Sequence, residues 1–437
     1  MRSAQGKGRR RTGGWTRFGR PAVVALILAG AAGSAVAADG LPGAGSPLAE
    51  QTCAALAARV DGAPGDGPVF LRSFDGPDGQ GEPGEPALRS AAFSYDNALA
   101  AIALVACERP AAAVRIGAAL LAAATDDRTG ETGRLRNAYR AGPQPDRPVP
   151  PMGWWDAAAN RWAEDPYQVG TATGNVAWAA LALLTLHEGT GDTAFLEGAA
   201  RLAGWIAANA RDPRGPGGFI GGLHGFDGSA RPLTWKSTEH NADAAAVFGW
   251  LARTGHPGPW TEREAEARSF LDAVWRAGEG GFPIGTAPDG VTVSHAASGL
   301  DAQLWPLLLR DAPAAWRRAM DHAERAHGVG DGFDFNDDRD GVWLEGTAQA
   351  ALVYRMLGRA AEADRRLRLV AAHVSPGGYV WAADRPRITT GLAIGPDSTT
   401  DDFHYHRWPH LGATAWAALA ARGWNPFTGQ PVSAALP

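Results

Sequence analysis

The sequence predicts an all-α chain closed into a ring of six helical hairpins, an (α/α)6 toroid, on three observations. First, a glycine turn ending in an aromatic residue recurs at Gly217-Gly218-Phe219, Gly280-Gly281-Phe282, Asp331-Gly332-Phe333 and Gly377-Gly378-Tyr379. Second, six polar clusters each open a run of small apolar residues: Tyr95-Asp96-Asn97, Gly174-Asn175, Glu239-His240-Asn241, Asp301-Ala302-Gln303, Glu345 to Gln349, and Leu411 to Thr414. Third, apolar helices alternate with charged ones, as buried inner helices alternate with outer helices that show one face to water.

Taken in order, a first helix is expected from Pro47 to Val60. From Asn175 to Leu186 nearly every residue is Ala, Val, Leu or Trp, which suits an inner helix buried on most sides. The next helix gathers Phe195, Ala199, Leu202 and Ile206 on one stripe and carries Glu197 and Arg201 elsewhere. The alternation repeats: Ala242 to Leu251 reads as apolar, and Glu262 to Trp275 as charged with one apolar stripe. Gln303 to Leu309 and Thr347 to Met356 read as inner helices, Trp316 to Ala326 and Glu362 to Val370 as outer ones. The expected total is six inner and six outer helices in a single domain over 38–437. Glycine, proline and aromatic residues collect in loops at 142–155, 214–235 and 382–408, where a rigid scaffold would carry its binding groups.

The first 37 residues read as a signal peptide. Seven basic residues precede an apolar run from Pro21 to about Ala32, followed by Ala35-Val36-Ala37 as a small-residue cleavage site. That run is shorter than the roughly 20 residues of a membrane-spanning helix. Export to the cell envelope or beyond is therefore expected, with no integral span after cleavage. Removing those seven from the 41 Lys and Arg leaves 34 against 46 Asp and Glu, a net charge of −12. No polybasic stripe remains to hold nucleic acid. The two cysteines, Cys53 and Cys107, suit either a disulfide in an oxidising compartment or two buried thiols. There is no P-loop, dinucleotide fingerprint or nucleophile elbow, and no cofactor is expected.

Acidic residues stand at four inner openings: Asp96, Glu239, Asp301 and Glu345. An acid there ordinarily caps the helix and complements its dipole. Glu239 and Glu345 stand out because Trp and amide side chains flank them in otherwise apolar helices. After the leader the chain contains one lysine, Lys236, three residues from Glu239. Its approach would lower the carboxyl pKa and suit a base.

The phrases Trp235-Lys236-Ser237-Thr238-Glu239-His240-Asn241 and Val342-Trp343-Leu344-Glu345-Gly346-Thr347-Ala348-Gln349 resemble acidic helix openings of the six-hairpin, (α/α)6-barrel glycosidases of exported bacterial proteins. The resemblance covers nearly all of the chain after the leader and implies a poly- or oligosaccharide substrate, carboxylate catalysis and inversion at the anomeric carbon. Glycoside cleavage needs one protonated carboxyl for the leaving oxygen and a second to activate water or attack the sugar. Glu239 and Glu345 are the expected pair, with Asp96 and Asp301 in reserve. Asn97, Asn175, Lys236, His240, Asn241, Gln303, Gln349 and His404 are expected to hold sugar hydroxyls, and Trp235 and Trp343 to stack on sugar rings.

Two rivals use the same scaffold or cleft. A sugar epimerase or polysaccharide lyase would move protons with His240, His404 or Tyr405, and a saccharide-binding protein would use the tryptophans without turnover. Asp334, Asn336, Asp338 and Asp340 alternate like a calcium loop. Counted from Asn336, however, the twelfth residue is Thr347 rather than glutamate, so a solvated turn is expected and no metal.

Overall fold

The computed structural model describes residues 46–432, except 146, 148, 150, 152, 296, 297, 399 and 401. The predicted signal peptide lies outside the described residues. Thirteen α-helices occupy the described residues. Six form an inner ring: α2 (Ser94–Ala106), α5 (Thr173–Thr190), α7 (Thr238–Thr254), α9 (Leu300–Leu304), α11 (Leu344–Met356) and α13 (Leu411–Arg422). Six lie outside them: α1 (Pro47–Asp61), α3 (Pro110–Thr125), α6 (Thr193–Asn209), α8 (Trp260–Val274), α10 (Arg318–His327) and α12 (Ala360–Ala371). A one-turn helix, α4 (Pro166–Val169), lies in the loop before α5.

Each inner helix packs on the next, and α13 packs on α2, which closes the ring. The first outer helix, α1, pairs with the last inner helix. Composition explains the layers. Every residue of α11 from Leu344 to Tyr354 is buried, whereas α12 buries only Ala363, Arg366, Leu367 and Val370. No helix among the described residues is long and apolar enough to cross a membrane.

One inner helix departs from expectation. Gln303 to Leu309 is not a continuous α-helix, because α9 stops at Leu304 and passes into a 3-10 turn over Trp305–Leu308. Pro306 supplies the reason, since it has no N–H for the helical ladder.

The repeated sequence phrase is a structural device. The Asn241 side chain accepts from Phe219 N at 2.9 Å and donates to Phe219 O at 3.1 Å. Gln303 does the same to Phe282, at 2.9 and 2.7 Å, and Asn97 to Leu71, at 2.7 and 3.0 Å. The Thr347 and Thr414 hydroxyls accept from Phe333 N and Val380 N. The opening of each of these inner helices thereby holds the turn that precedes it, and buried main-chain groups find their partners. The paired glycines follow from this. A Cβ at Gly218, whose φ is +85°, would stand 2.5 Å from Asn241 Oδ1, and one at Gly281 would stand 3.0 Å from Gln303 Oε1.

Cys53 on α1 is bonded to Cys107 at the end of α2, with Cα atoms 5.7 Å apart.

Candidate active site

A cavity of about 140 Å³ takes lining residues from five of the inner helices. Tyr95 comes from α2, Gly174, Asn175 and Trp178 from α5, and Glu239, His240 and Asp243 from α7. Asp301 comes from α9, Trp305 from the 3-10 turn that continues it, and Glu345 from α11. Phe335, Leu392, Phe403 and Tyr405 complete the wall from loops and a short strand. Trp178 stands edge-on to Tyr95, Trp305 and Trp416, at ring distances of 5.5, 5.1 and 5.7 Å, making an aromatic floor. A larger cavity of about 380 Å³ lies between Leu307–Pro313, the end of α11 and the last strands. It gathers a single acid, Asp311, with Arg310 and Arg317 among leucine, proline and methionine, so the paired-carboxyl chemistry is sought in the smaller cavity.

Asp243, Asp301 and Glu345 are buried, and Glu239 is half-buried at the cavity wall. Burial pushes Glu239 up to about 7, against hydrogen bonds to Ser237 and Asp301 that pull it down. Burial, then the charges of Glu239 and Glu345, raise Asp301 well above the ordinary carboxylate range. Burial, then Glu239 and Asp301, do the same to Asp243. Asp301 therefore lies close enough to Glu239 and Glu345 for both charges to act on it. Like charges packed this closely in a dry site hold protons between them.

Glu345 is gripped differently. Tyr95 Oη donates to its Oε1 at 2.7 Å and itself receives Trp416 Nε1–H at 2.9 Å. His410 Nδ1 lies 3.3 Å from Glu345 Oε2, and His410 Nε2 lies 3.2 Å from Asp96 Oδ2. Burial alone would lower the His410 pKa, but Asp96 and Glu345 outweigh it and bring it to about 10. His240 is the contrary case. Burial lowers it to about 4, so its ring is neutral, and its Nδ1 has no hydrogen-bond partner.

Several sequence-predicted residues sit elsewhere than in the cavity. Lys236 does not approach Glu239: its Nζ donates to Asp212 O at 3.0 Å and Arg214 O at 2.6 Å and pairs with Asp212 at 3.5 Å. A buried ammonium needs that set of acceptors, so Lys236 fastens a loop and leaves Glu239 without a cation. Asn97, Asn241 and Gln303 spend both ends of their amides on main-chain groups, as described above. Trp343 is buried behind the wall, 5.1 Å from Phe335 and 5.2 Å from Tyr405, and supports both rings. Trp235 packs against His240 at 5.5 Å. Gln349 accepts from Trp305 Nε1 at 3.0 Å. Among the polar candidates Asn175 and His240 line the cavity, and Asn175 donates to Asn137 at 2.8 Å. Alternation along strand His404–His406 brings Tyr405 to the cavity and leaves His404 outside its lining.

The sequence reading missed three residues. Asp243 interrupts the stretch taken as apolar and lies one helical turn after Glu239 on the same face, a spacing that could have revealed it. Tyr95 opens an inner helix and His410 ends a late histidine cluster, but nothing local reveals their roles, because their partners Glu345 and Asp96 are 250 and 314 residues away.

No protein-family model matches the sequence, and no curated protein does. Solved structures do resemble the fold. One is a glycosidase variant in complex with glucose, 15% identical with a TM-score of 0.54, the match covering 88% of this chain and 98% of that one. Another is the cellobiose 2-epimerase of Spirochaeta thermophila, 15% identical with a TM-score of 0.55, covering 86% and 97%. A third is a GH76 α-mannanase of Bacteroides thetaiotaomicron, 10% identical with a TM-score of 0.53, covering 86% and 96%. The chain shares the fold of these structures, the (α/α)6 toroid.

Proposed function

We propose that the chain is an exported glycoside hydrolase that cleaves a poly- or oligosaccharide with carboxyl groups on its inner-helix openings. One observation carries the reading. Glu239, Asp243, Asp301 and Glu345 converge on one aromatic-floored cavity, and burial holds Glu239 near a pKa of 7. A carboxyl that still holds a proton close to neutral pH is the donor a leaving glycosidic oxygen needs. Glu239 is therefore the general acid, and Asp301 beside it keeps a proton within the pair. Glu345, which accepts from Tyr95 and faces His410, is the group that takes a proton from the attacking water. The Cys53–Cys107 bond and the leader-like N-terminal sequence support export.

The test is product release from a panel of bacterial and plant glycans by the mature protein beside Glu239→Gln. New reducing ends from one glycan, lost in the variant, support hydrolysis through Glu239. Undiminished cleavage by the variant removes Glu239 from the chemistry, and glycan binding without turnover favours a binding protein.

A second reading, sugar epimerisation, is favoured by His240, a neutral imidazole with a free buried Nδ1 on the cavity wall. It predicts isomerised sugar without chain cleavage, abolished by His240→Asn.

A further inference from the structure

The loop from Asp334 to Gly341 joins the strand Gly332–Phe333 to the opening of α11. Three carboxylates on it, from Asp334, Asp338 and Asp340, place one oxygen each within 4.8 Å of the others. Asp334 is fully buried. Its oxygens accept from Phe335 N at 2.8 Å and Gly341 N at 3.3 Å, and no ion pair to it is formed among the described residues. The nearby arginines are committed elsewhere. Arg339 donates to the main-chain carbonyls of Ala326 and Arg325, and Arg385 pairs with Asp384.

A second observation points to a ligand. Asn336 is only 5% exposed and its Nδ2 lies 3.0 Å from Asp338 Oδ2, so turning the amide over sets its oxygen against the cluster. Its Oδ1 is buried without any hydrogen-bond partner, and so is Asp340 Oδ1. Buried oxygens left unsatisfied beside like-charged carboxylates are costly unless a cation occupies the space between them.

We propose that this loop is a calcium site, with Asp334, Asn336, Asp338 and Asp340 as ligands. All the donors are oxygens, which selects a hard cation over zinc or copper. They stand at alternate positions of a single loop, as calcium loops arrange them, and Arg339 at the sixth position is in the left-handed conformation (φ 58°) that such a turn requires. Counting from Asp334 rather than Asn336 corrects the register used in the sequence reading. The twelfth residue is then Glu345, which is held in the cavity by Tyr95, so water completes the coordination.

The ion also ties two parts of the fold together. Thr389 N donates to Asp340 Oδ2 at 3.0 Å, and Thr389 Oγ1 donates to Asp338 and Asp340. Thr389 ends the strand that pairs with His404–His406, whose Tyr405 lines the cavity.

The experiment is calorimetric titration of the EDTA-treated, dialysed mature protein with calcium chloride, with thermal melts in calcium and in EDTA. One-site binding and a melting temperature that rises with calcium are expected. Both should vanish in the variants Asp338→Ala and Asp340→Ala, which spare the fully buried Asp334 in case Asp334→Asn fails to fold. Terbium luminescence, excited through tryptophan, should appear in the native chain and be displaced by calcium. Absence of binding up to ~10 mM calcium, about tenfold beyond the weak end for such sites, overturns the proposal. So does an unchanged response in both variants, or magnesium binding as tightly as calcium. None of these readouts depends on enzymatic activity.

Discussion

His410 and Glu345 face each other at 3.3 Å, and Asp96 holds the opposite side of the same imidazole at 3.2 Å. The ring lies flat on Phe74, 4.5 Å between centroids, directly before the start of α13. One buried imidazole thus joins α2, α11 and α13 where the ring closes. Each carboxylate alone would be a desolvated charge, and the imidazole offsets both.

His410→Ala should therefore destabilise the fold by about 3–5 kcal/mol, the range for removing one partner of a buried pair. The pH dependence gives a sharper test. The folded pKa of His410 is about 10 against an ordinary 6.5, so its contribution is complete below pH 6.5 and is lost as pH rises through about 10. Urea unfolding of the native chain and the variant should show a gap at pH 6 that narrows by pH 9.5. A gap independent of pH would mean that only packing on Phe74 was lost.

Glu239 titrates in the working range of an enzyme. Burial moves it from 4.5 to about 7, so it is protonated in mildly acidic solution and loses its proton as pH rises through 7. The sign is that of a raised pKa: the function of the protonated form, and the stability that goes with it, are present at low pH and lost on the alkaline side. If Glu239 is the acid, kcat/KM on a cleavable glycan should fall about tenfold per pH unit above pH 7. An alkaline limb displaced by two units or more would assign the proton to another group.

The ring was legible in the sequence because burial on all sides and burial on one side leave different patterns, as α11 and α12 illustrate. The site was legible only in part. Glu239, Asp301 and Glu345 stood at helix openings and do line the cavity, but acids there are ordinary and position alone cannot tell chemistry from capping. Lys236 misled because adjacency in sequence is not adjacency of side chains, and its ammonium turns to Asp212. Asn97, Asn241 and Gln303 misled for a different reason. A polar residue repeated at equivalent openings looked like a set of sugar contacts, whereas the repetition belongs to the fold, which must hold each turn against its helix. His410 was invisible as a bridge because its partners come from distant helices.

The amide-to-turn device makes its own prediction. In Asn241→Ala the buried N–H and C=O of Phe219 lose both side-chain partners, at roughly 1–3 kcal/mol for each group left unsatisfied. The urea midpoint should drop markedly while KM for any substrate stays near the native value. Asn175→Ala, at the cavity wall, should show the reverse, with KM raised and the midpoint little changed. A raised KM with native stability in Asn241→Ala would return that residue to the substrate.

The disulfide should matter most at the seam of the ring. Cys53 and Cys107 close a loop with a sequence separation of 54, and α1, which carries Cys53, packs on α13 at the far end of the chain. Bridging them restricts the unfolded chain and stabilises the fold by about 2–4 kcal/mol. Because the bond anchors α1 to α2 while α1 covers α13, its loss should loosen α1 before the rest of the ring. The double variant Cys53→Ala/Cys107→Ala should melt several degrees lower, with the earliest amide exchange in α1 and α13. Equal exchange throughout the ring would show that the bond stabilises the whole fold rather than its closure.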